Sequence, residues 1–219
     1  MKQPPIRPVT RSKAAAQASY DRMSRWYDWF AASERRFAVA GLRLLDAQPG
    51  ERVLELGPGT GHGLAALGTA VAEQGTVVGL DLSGGMLCQA ARQAQSQWVS
   101  LTQGDAAHLP FASQSFDAVF MSFTLELFDT PHIPGVLAEV RRVLVEDGRF
   151  CLVSLEKEAA RPAVRLYEWV HDRLPNYADC RPIYAKVSLT EANFYLQETI
   201  RLSMWGLPVT IALTRKRTV

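Results

Sequence analysis

Val53-Leu54-Glu55-Leu56-Gly57-Pro58-Gly59-Thr60-Gly61 is an apolar strand that runs into a turn with glycine at every second position. Val77-Val78-Gly79-Leu80-Asp81, further along, is a second apolar strand that ends in a carboxylate. An open parallel sheet builds an adenosine pocket from such a pair, because the glycines let backbone approach the ligand and the acid at the end of the second strand meets ribose hydroxyls. Cofactor binding is therefore the first expectation, and the identity of the cofactor decides the chemistry.

A dinucleotide asks for Gly-x-Gly-x-x-Gly directly after the strand, whereas His62 stands where the last glycine should be. The displaced match Gly61-His62-Gly63-Leu64-Ala65-Ala66 starts well past Leu56, where the strand pattern ends. Charge discriminates further. Glu55 lies at the mouth of the site, where it repels a pyrophosphate and attracts an ammonium. S-adenosylmethionine carries a sulfonium, an ammonium and a carboxylate but no phosphate, so it suits this turn better than NAD. The alternative for Glu55 is a carboxylate that satisfies local backbone donors. Asp81 reads as a ribose ligand, its alternative as a helix cap weakened by Ser83, which already supplies one. Asp105, in Gly104-Asp105-Ala106, fits equally an acceptor for the adenine amine and an ordinary turn residue.

The 219 residues, 47% of them hydrophobic, suit one large α/β domain with a full core. No run reaches the length of a membrane span, and Met1-Lys2-Gln3-Pro4-Pro5 lacks an apolar leader segment, so a cytoplasmic protein is expected. Cys88, Cys151 and Cys180 are far apart with no Cys-x-x-Cys spacing, which argues against a disulfide framework and a metal site. The net charge of +2 gives no ground for a nucleic-acid partner. The basic residues of the first fifty, among them Arg7, Arg11, Lys13, Arg22 and Arg25, suit either a solvated arm or transient contact with an anionic membrane surface.

Residues 1–19, rich in Pro, Ala, Lys and Arg, read as a flexible arm, and 20–219 as the folded domain. Tyr20, Met23, Trp26 or Tyr27, and Phe30 recur at helical spacing, and a second helix from about Glu34 to Leu45 leads through Pro49-Gly50 into the first strand. From Val53 strands and helices alternate: a helix near Gly63 to Glu73, a strand Thr76 to Leu80, a helix from Ser83, and a strand ending about Gln103. A strand Phe116 to Phe123, a helix Pro134 to Leu144 and a strand Phe150 to Leu155 follow, the last two joined by an Asp147-Gly148 turn. An amphipathic helix from Ala163 to Arg173 and an irregular stretch, Leu174 to Tyr184, interrupt the rhythm. Tyr195 to Ser203 and Leu207 to Leu213, around Trp205-Gly206, close the pattern as an antiparallel hairpin. The expected fold is an α/β, Rossmann-like, doubly wound and mostly parallel seven-stranded sheet with a C-terminal antiparallel hairpin and N-terminal covering helices.

On these residues the chain resembles the class I S-adenosylmethionine-dependent methyltransferases, most closely the ubiquinone and menaquinone biosynthesis C-methyltransferase branch. The resemblance spans roughly residues 20 to 155. It is carried by the Val53–Gly61 turn, Gly79-Leu80-Asp81-Leu82-Ser83 with Met86-Leu87, Gly104-Asp105-Ala106 with Leu109-Pro110-Phe111, Ser115-Phe116-Asp117-Ala118-Val119, and Glu139-Val140-Arg141-Arg142-Val143-Leu144. It implies S-adenosylmethionine as cofactor, with Gly57, Gly59 and Gly61 against its methionine moiety and Asp81 on its ribose. Leu82 and Met86 would flank adenine, with Asp105 and Ala106 near its amine. The segment from Ser122 to Glu126 would wall the reactive side. Met86 alone would read as core packing. Two departures stand out: Glu146-Asp147-Gly148 replaces the family's Pro-Gly-Gly turn, and Asp179-Cys180-Arg181-Pro182-Ile183-Tyr184 matches no motif of the quinone enzymes.

Methyl transfer needs alignment in a dry pocket more than a protein nucleophile, and a base only when the acceptor loses a proton. Acceptor-side candidates are Tyr20, Tyr27, His62, Glu126, Tyr177, Arg181 and Tyr184, each with a packing or surface role as its alternative. Trp26, Trp29, Tyr167, Trp169 and Tyr184 suit a small hydrophobic or lipid-like acceptor such as a quinone precursor. The competing functions are phospholipid headgroup N-methylation, a non-catalytic cofactor-binding subunit and a nicotinamide-dependent dehydrogenase.

Overall fold

The computed structural model describes residues 6, 17, 18, 21, 33–158, 162–173 and 180–216. The expected arm and the aromatic helix containing Tyr20, Trp26, Tyr27 and Trp29 lie almost wholly outside them. Helix α1 (Arg35–Leu45) is followed by β1 (Arg52–Leu56), α2 (His62–Val71), β2 (Thr76–Asp81), α3 (Gly84–Gln93) and β3 (Val99–Gln103). Then come β4 (Phe116–Ser122), α4 (Ile133–Val143), β5 (Leu144–Leu155), α5 (Pro162–Arg173), α6 (Ala185–Glu191), β6 (Phe194–Met204) and β7 (Leu207–Lys216). The seven strands lie in the order β3-β2-β1-β4-β5-β7-β6. The first five are parallel, and β7 runs antiparallel to both β5 and β6.

Alternation along β1 assigns the two layers. Val53 packs with Phe37 and Leu45 of α1 and Leu64, Leu67 and Val71 of α2, while Leu54 and Leu56 pack with Val136, Leu137 and Val140 of α4 and Leu189 of α6. Both faces of the central strands are thus covered, which is why they read as nearly continuous apolar runs. The sheet order reverses direction between β1, which leads outward to β2, and β4 on its other side. A crevice opens there at the carboxyl ends of the strands, the position where open α/β sheets bind ligands.

The chain departs from expectation in two places. The strand expected from Phe150 begins six residues earlier, at Leu144, directly where α4 ends, and the pairing with β4 jumps from Leu144↔Phe116 to Arg149↔Ala118. The Asp147-Gly148 turn is therefore a bulge within one long strand, with Asp147 at φ 61°. Helix α6, in the stretch after Tyr184, has only seven residues, too few for its Ala185 and Leu189 to set up a visible helical period. The hairpin turn does fall at Trp205-Gly206, with φ 51° and 84°, the pair of positive values that a two-residue hairpin favours.

Candidate functional site

The crevice is built from the ends of β1 and β2. In the register Glu55 sits opposite Gly79 and Leu56 opposite Leu80, so Asp81 stands just beyond the last rung. Gly57 N–H donates to Leu80 O at 2.9 Å, which turns the chain across the end of β2. Gly57, Gly59 and Gly61 all have positive φ, at 66°, 54° and 89°. Gly61 has a second constraint. A Cβ there would lie 2.7 Å from Ala90 Cα, so the missing side chain lets the start of α2 meet the backbone of α3. The N-cap of α2 is Gly61, which has no side chain to bond the first N–H groups of the helix.

Glu55 is 4% exposed and its carboxylate lies against Gly63, on the α2 face of the strand. Among the described residues its buried Oε2 has no hydrogen-bond partner. Burial pushes this carboxyl up to about 8, and the charge of Asp81 adds to the rise. Asp81 is raised to about 6, first by burial, against the backbone N–H groups of Ser83, Gly59 and Leu82 that hold it down; Asp21 adds to the rise. Ser83 N–H reaches Asp81 Oδ1 at 2.9 Å. Ser83 Oγ caps α3 by accepting Met86 N–H at 3.1 Å, the cap read from the sequence.

Around this centre, Leu82 is half-buried, and Met86 and Ala106 are buried at 2% and 6% exposed. Asp105 accepts Ala107 N–H at 2.9 Å with Oδ1, so the turn role exists alongside any ligand role. Ser122 ends β4, and Thr124 Oγ1 donates to its carbonyl at 3.0 Å. A Cβ on Gly57 would collide with Thr124, which brings the segment after β4 against the glycine turn. His62 Nδ1 is 3.1 Å from Thr60 Oγ1 at the start of α2.

Glu126 and Arg181 come together beyond the ends of β4 and β5. Glu126 is 0% exposed; its Oε1 accepts Leu155 N–H at 2.9 Å, while its buried Oε2 has no hydrogen-bond partner among the described residues. Burial pushes its carboxyl up to about 8 against the Leu155 bond; Glu34 raises it further and Arg181 lowers it. Arg181, 1% exposed, donates to Phe128 O and, at 3.1 Å, to Thr130 Oγ1. Its guanidinium ties down the turn that follows β4. Tyr184 is half-buried at the start of α6, Tyr167 donates to Cys180 O at 2.7 Å, and Trp169 is 53% exposed. Tyr20, Tyr27 and Tyr177 lie outside the described residues. Asp21, which no sequence pattern singled out, bonds to Ser83 and Gly85 at the rim. Among the described residues no group of three or more His, Cys, Asp or Glu is placed to hold a metal ion.

Residues 53–148 match the model of a methyltransferase domain. Curated relatives named demethylmenaquinone methyltransferase include that of Beutenbergia cavernae, 36% identical over 170 residues, covering 77% of this chain and 65% of the relative. That of Lactobacillus johnsonii is 35% identical over 139 residues, covering 61% and 56%. The chain thus carries a methyltransferase domain over residues 53–148 and is similar over most of its length to S-adenosylmethionine-dependent methyltransferases. It spans between about half and two thirds of the length of the curated relatives it matches. Among solved structures, the [4+2]-cyclase SpnF superposes with a TM-score of 0.76 at 17% identity, covering 99% of this chain and 100% of SpnF. A SAM-dependent methyltransferase from Aquifex aeolicus gives 0.62 at 19%, covering 81% and 88%. These two establish the Rossmann-like fold, and the name of the first is a reminder that this fold does not fix a reaction.

The residues at the crevice fit the cofactor of this family, S-adenosylmethionine. Among the described residues Glu55 has a buried oxygen with no hydrogen-bond partner that could meet an ammonium, the start of α2 has no cap from Gly61 and could offer N–H groups to a carboxylate, and Asp81 at the end of β2 could accept from ribose hydroxyls. An added phosphate would meet two carboxylates instead.

Proposed function

We propose that the protein transfers a methyl group from S-adenosylmethionine to a small hydrophobic acceptor such as a quinone precursor. The observation that carries the transfer is the Glu55–Asp81 pair at the glycine turn, an acidic crevice suited to a cationic, phosphate-free nucleoside. The quinone acceptor rests on the names of the relatives at 35–36% identity. The cofactor supplies a methyl carbon already activated by sulfonium. The protein's work is to hold and align. Glu55 takes the ammonium, Asp81 the ribose, Leu82 and Met86 the faces of adenine, and Asp105 with Ala106 its amine edge, while Ser122 and Thr124 wall the reactive side. Alignment of this kind contributes roughly 7–11 kcal/mol to a two-reactant displacement.

A rival acceptor is the amine of a phospholipid headgroup, for which Glu126, buried beyond β4 with Arg181 beside it, supplies no open carboxylate. A hydrophobic acceptor also gives the basic leading residues a use, brief docking on anionic membrane, which retention by anionic but not neutral vesicles at low salt would support. Among the described residues no helix is long and apolar enough to cross a membrane.

Incubation with methyl-labelled S-adenosylmethionine and a cell extract, followed by identification of the labelled product, tests both acceptors. Label in a lipid-soluble aromatic supports the quinone reading, and label in choline-type headgroups overturns it. Tight cofactor binding with no labelled product from any extract points to a non-catalytic binding subunit.

A further inference from the structure

The turn between β6 and β7 places an indole where the backbone favours a small residue. Trp205 has φ 51°, a left-handed conformation that asparagine and glycine enter readily and a bulky side chain enters at a cost. No burial offsets that cost, because Trp205 is 78% exposed, more than any other large hydrophobic among the described residues. Leu202 alternates with Ile200 and Met204, which pack on the α1 side of the sheet, yet it is itself 40% exposed. Helix α5 packs against β7, while its Leu166 and Trp169 are left exposed and Arg173 lies over the Trp169 ring. These side chains share one end of the sheet with the crevice. Val209 pairs with Leu155, the carboxyl end of β5, so Leu207 and Trp205 overhang the ends of the parallel strands on the side where Asp81 and Ser122 stand. Charge at the tip has one sign. From Thr199 to Val219 the only charged residues are Arg and Lys, Arg201 nearest the turn. Arg36 Nη2 donates to Ser203 O at 2.8 Å, which fixes another guanidinium beside it.

We propose that the β6–β7 tip, led by Trp205 and Leu202, docks the protein on an anionic bilayer with the crevice end of the sheet turned toward the lipid. Trp205 and Leu202 enter the headgroup region, where an indole is at home, and Arg36 and Arg201 meet lipid phosphate. A bilayer suits the shape as well as the charge, since a projecting tip needs a surface that yields around it. The proposal rests on the reading of the acceptor as hydrophobic: a lipid-soluble acceptor then passes from membrane to crevice without crossing water. It also puts the docking surface on the folded domain, apart from the basic leading residues.

The test is sedimentation of the full chain at low salt with vesicles of phosphatidylcholine, alone or mixed with phosphatidylglycerol, comparing wild type with Trp205→Asn and Leu202→Ser. Wild type should be retained by the anionic vesicles, and each variant should bind them about tenfold more weakly. Trp205→Asn suits the left-handed turn, so its melting temperature should be held or rise, and its uptake of S-adenosylmethionine without lipid should equal that of wild type. Brominated acyl chains should quench wild-type tryptophan fluorescence and leave Trp205→Asn largely unquenched. Equal retention and quenching of wild type and Trp205→Asn overturn the tip and assign the docking to the leading residues. Equal binding to neutral and anionic vesicles overturns the anionic surface. A wild-type chain retained by neither vesicle overturns docking altogether, and a dimer that Trp205→Asn converts to monomer then gives the tip to a second copy. Docking through Trp205 with label only in a water-soluble product refutes the hydrophobic acceptor and leaves the docking surface standing.

Discussion

Glu55, one residue before the end of β1, and Asp81, the last residue of β2, lie on neighbouring parallel strands, where burial first and then the charge of Asp81 raise the Glu55 carboxyl to about 8. Both acids are raised above their ordinary values of 4.5 and 3.8, and both mainly by burial. Between those values and about 8 the folded chain therefore binds more protons than the unfolded chain, so stability falls as pH rises through that window. Glu126 acts in the same direction. Asp117, where the bonds from Arg52 outweigh burial, and Glu139, held low by Arg142, act the other way: their contribution is present above their ordinary values of 3.8 and 4.5 and is lost as pH falls below them. Urea unfolding of the ligand-free protein at pH 5, 6.5 and 8 should give a declining free energy, and Glu55→Gln should flatten the decline. A rise across the same range would refute the burial of these acids.

An ammonium placed beside Glu55 favours its ionised form, so cofactor uptake at pH 7 should release protons. Calorimetry in buffers of different ionisation enthalpy reads this directly. Glu55→Gln should abolish the release and weaken binding about tenfold or more, as expected for loss of a charge-assisted bond. Proton uptake, or an unaffected variant, would place the ammonium elsewhere.

Gly61→Ala forces a Cβ into the backbone of α3 at a positive φ, and should cost about 2–3 kcal/mol or abolish folding. Gly135→Ala is the matched control. It lies in α4 with nothing within 4 Å of the added carbon, and should stabilise by roughly 0.4–1 kcal/mol. Thermal melts of the two variants should move in opposite directions.

Arg181 and Glu126 differ in what their removal leaves behind. Arg181→Ala strips the bonds to Phe128 O and Thr130 and the countercharge of a buried carboxyl, and should cost about 3–5 kcal/mol. Glu126→Gln keeps an acceptor for Leu155 N–H and removes the charge that burial opposes, so at pH 8 it should be neutral or stabilising. A harmless Arg181→Ala would show that the guanidinium is free to serve an acceptor.

The glycine turn and the acid at the end of β2 were legible because both are local: their chemistry is written in adjacent residues, and the apolar alternation around them places them at strand ends. The succession of β1 to β5 along the chain followed from the same alternation. The bulge at Asp147 was not legible, since Asp-Gly signals a change of direction whether the chain turns away or returns to the same strand. Arg181 reads in the sequence as an acceptor-side candidate or a packing or surface residue, and nothing local chooses between these until the carbonyl of Phe128 and the hydroxyl of Thr130 are seen to hold it. Glu126 likewise reads as a polar residue facing the acceptor, and burial at the end of β5 is a property of its neighbours. The contact of Asp21 with Ser83 spans 62 residues and leaves no periodic trace at either end.

The position of β1 between β2 and β4 also has a kinetic side. Its pairing with β2 closes a short loop, but its other edge waits for a strand some sixty-five residues downstream, as the Arg52–Asp117 bond measures. Chain-closure entropy must be met before that edge is covered, so refolding should pass through a species with the nucleoside-binding half assembled and a raw strand edge open to aggregation. The β6–β7 hairpin, whose contacts are local, cannot shorten that wait, because β7 docks only on β5, itself placed by β4.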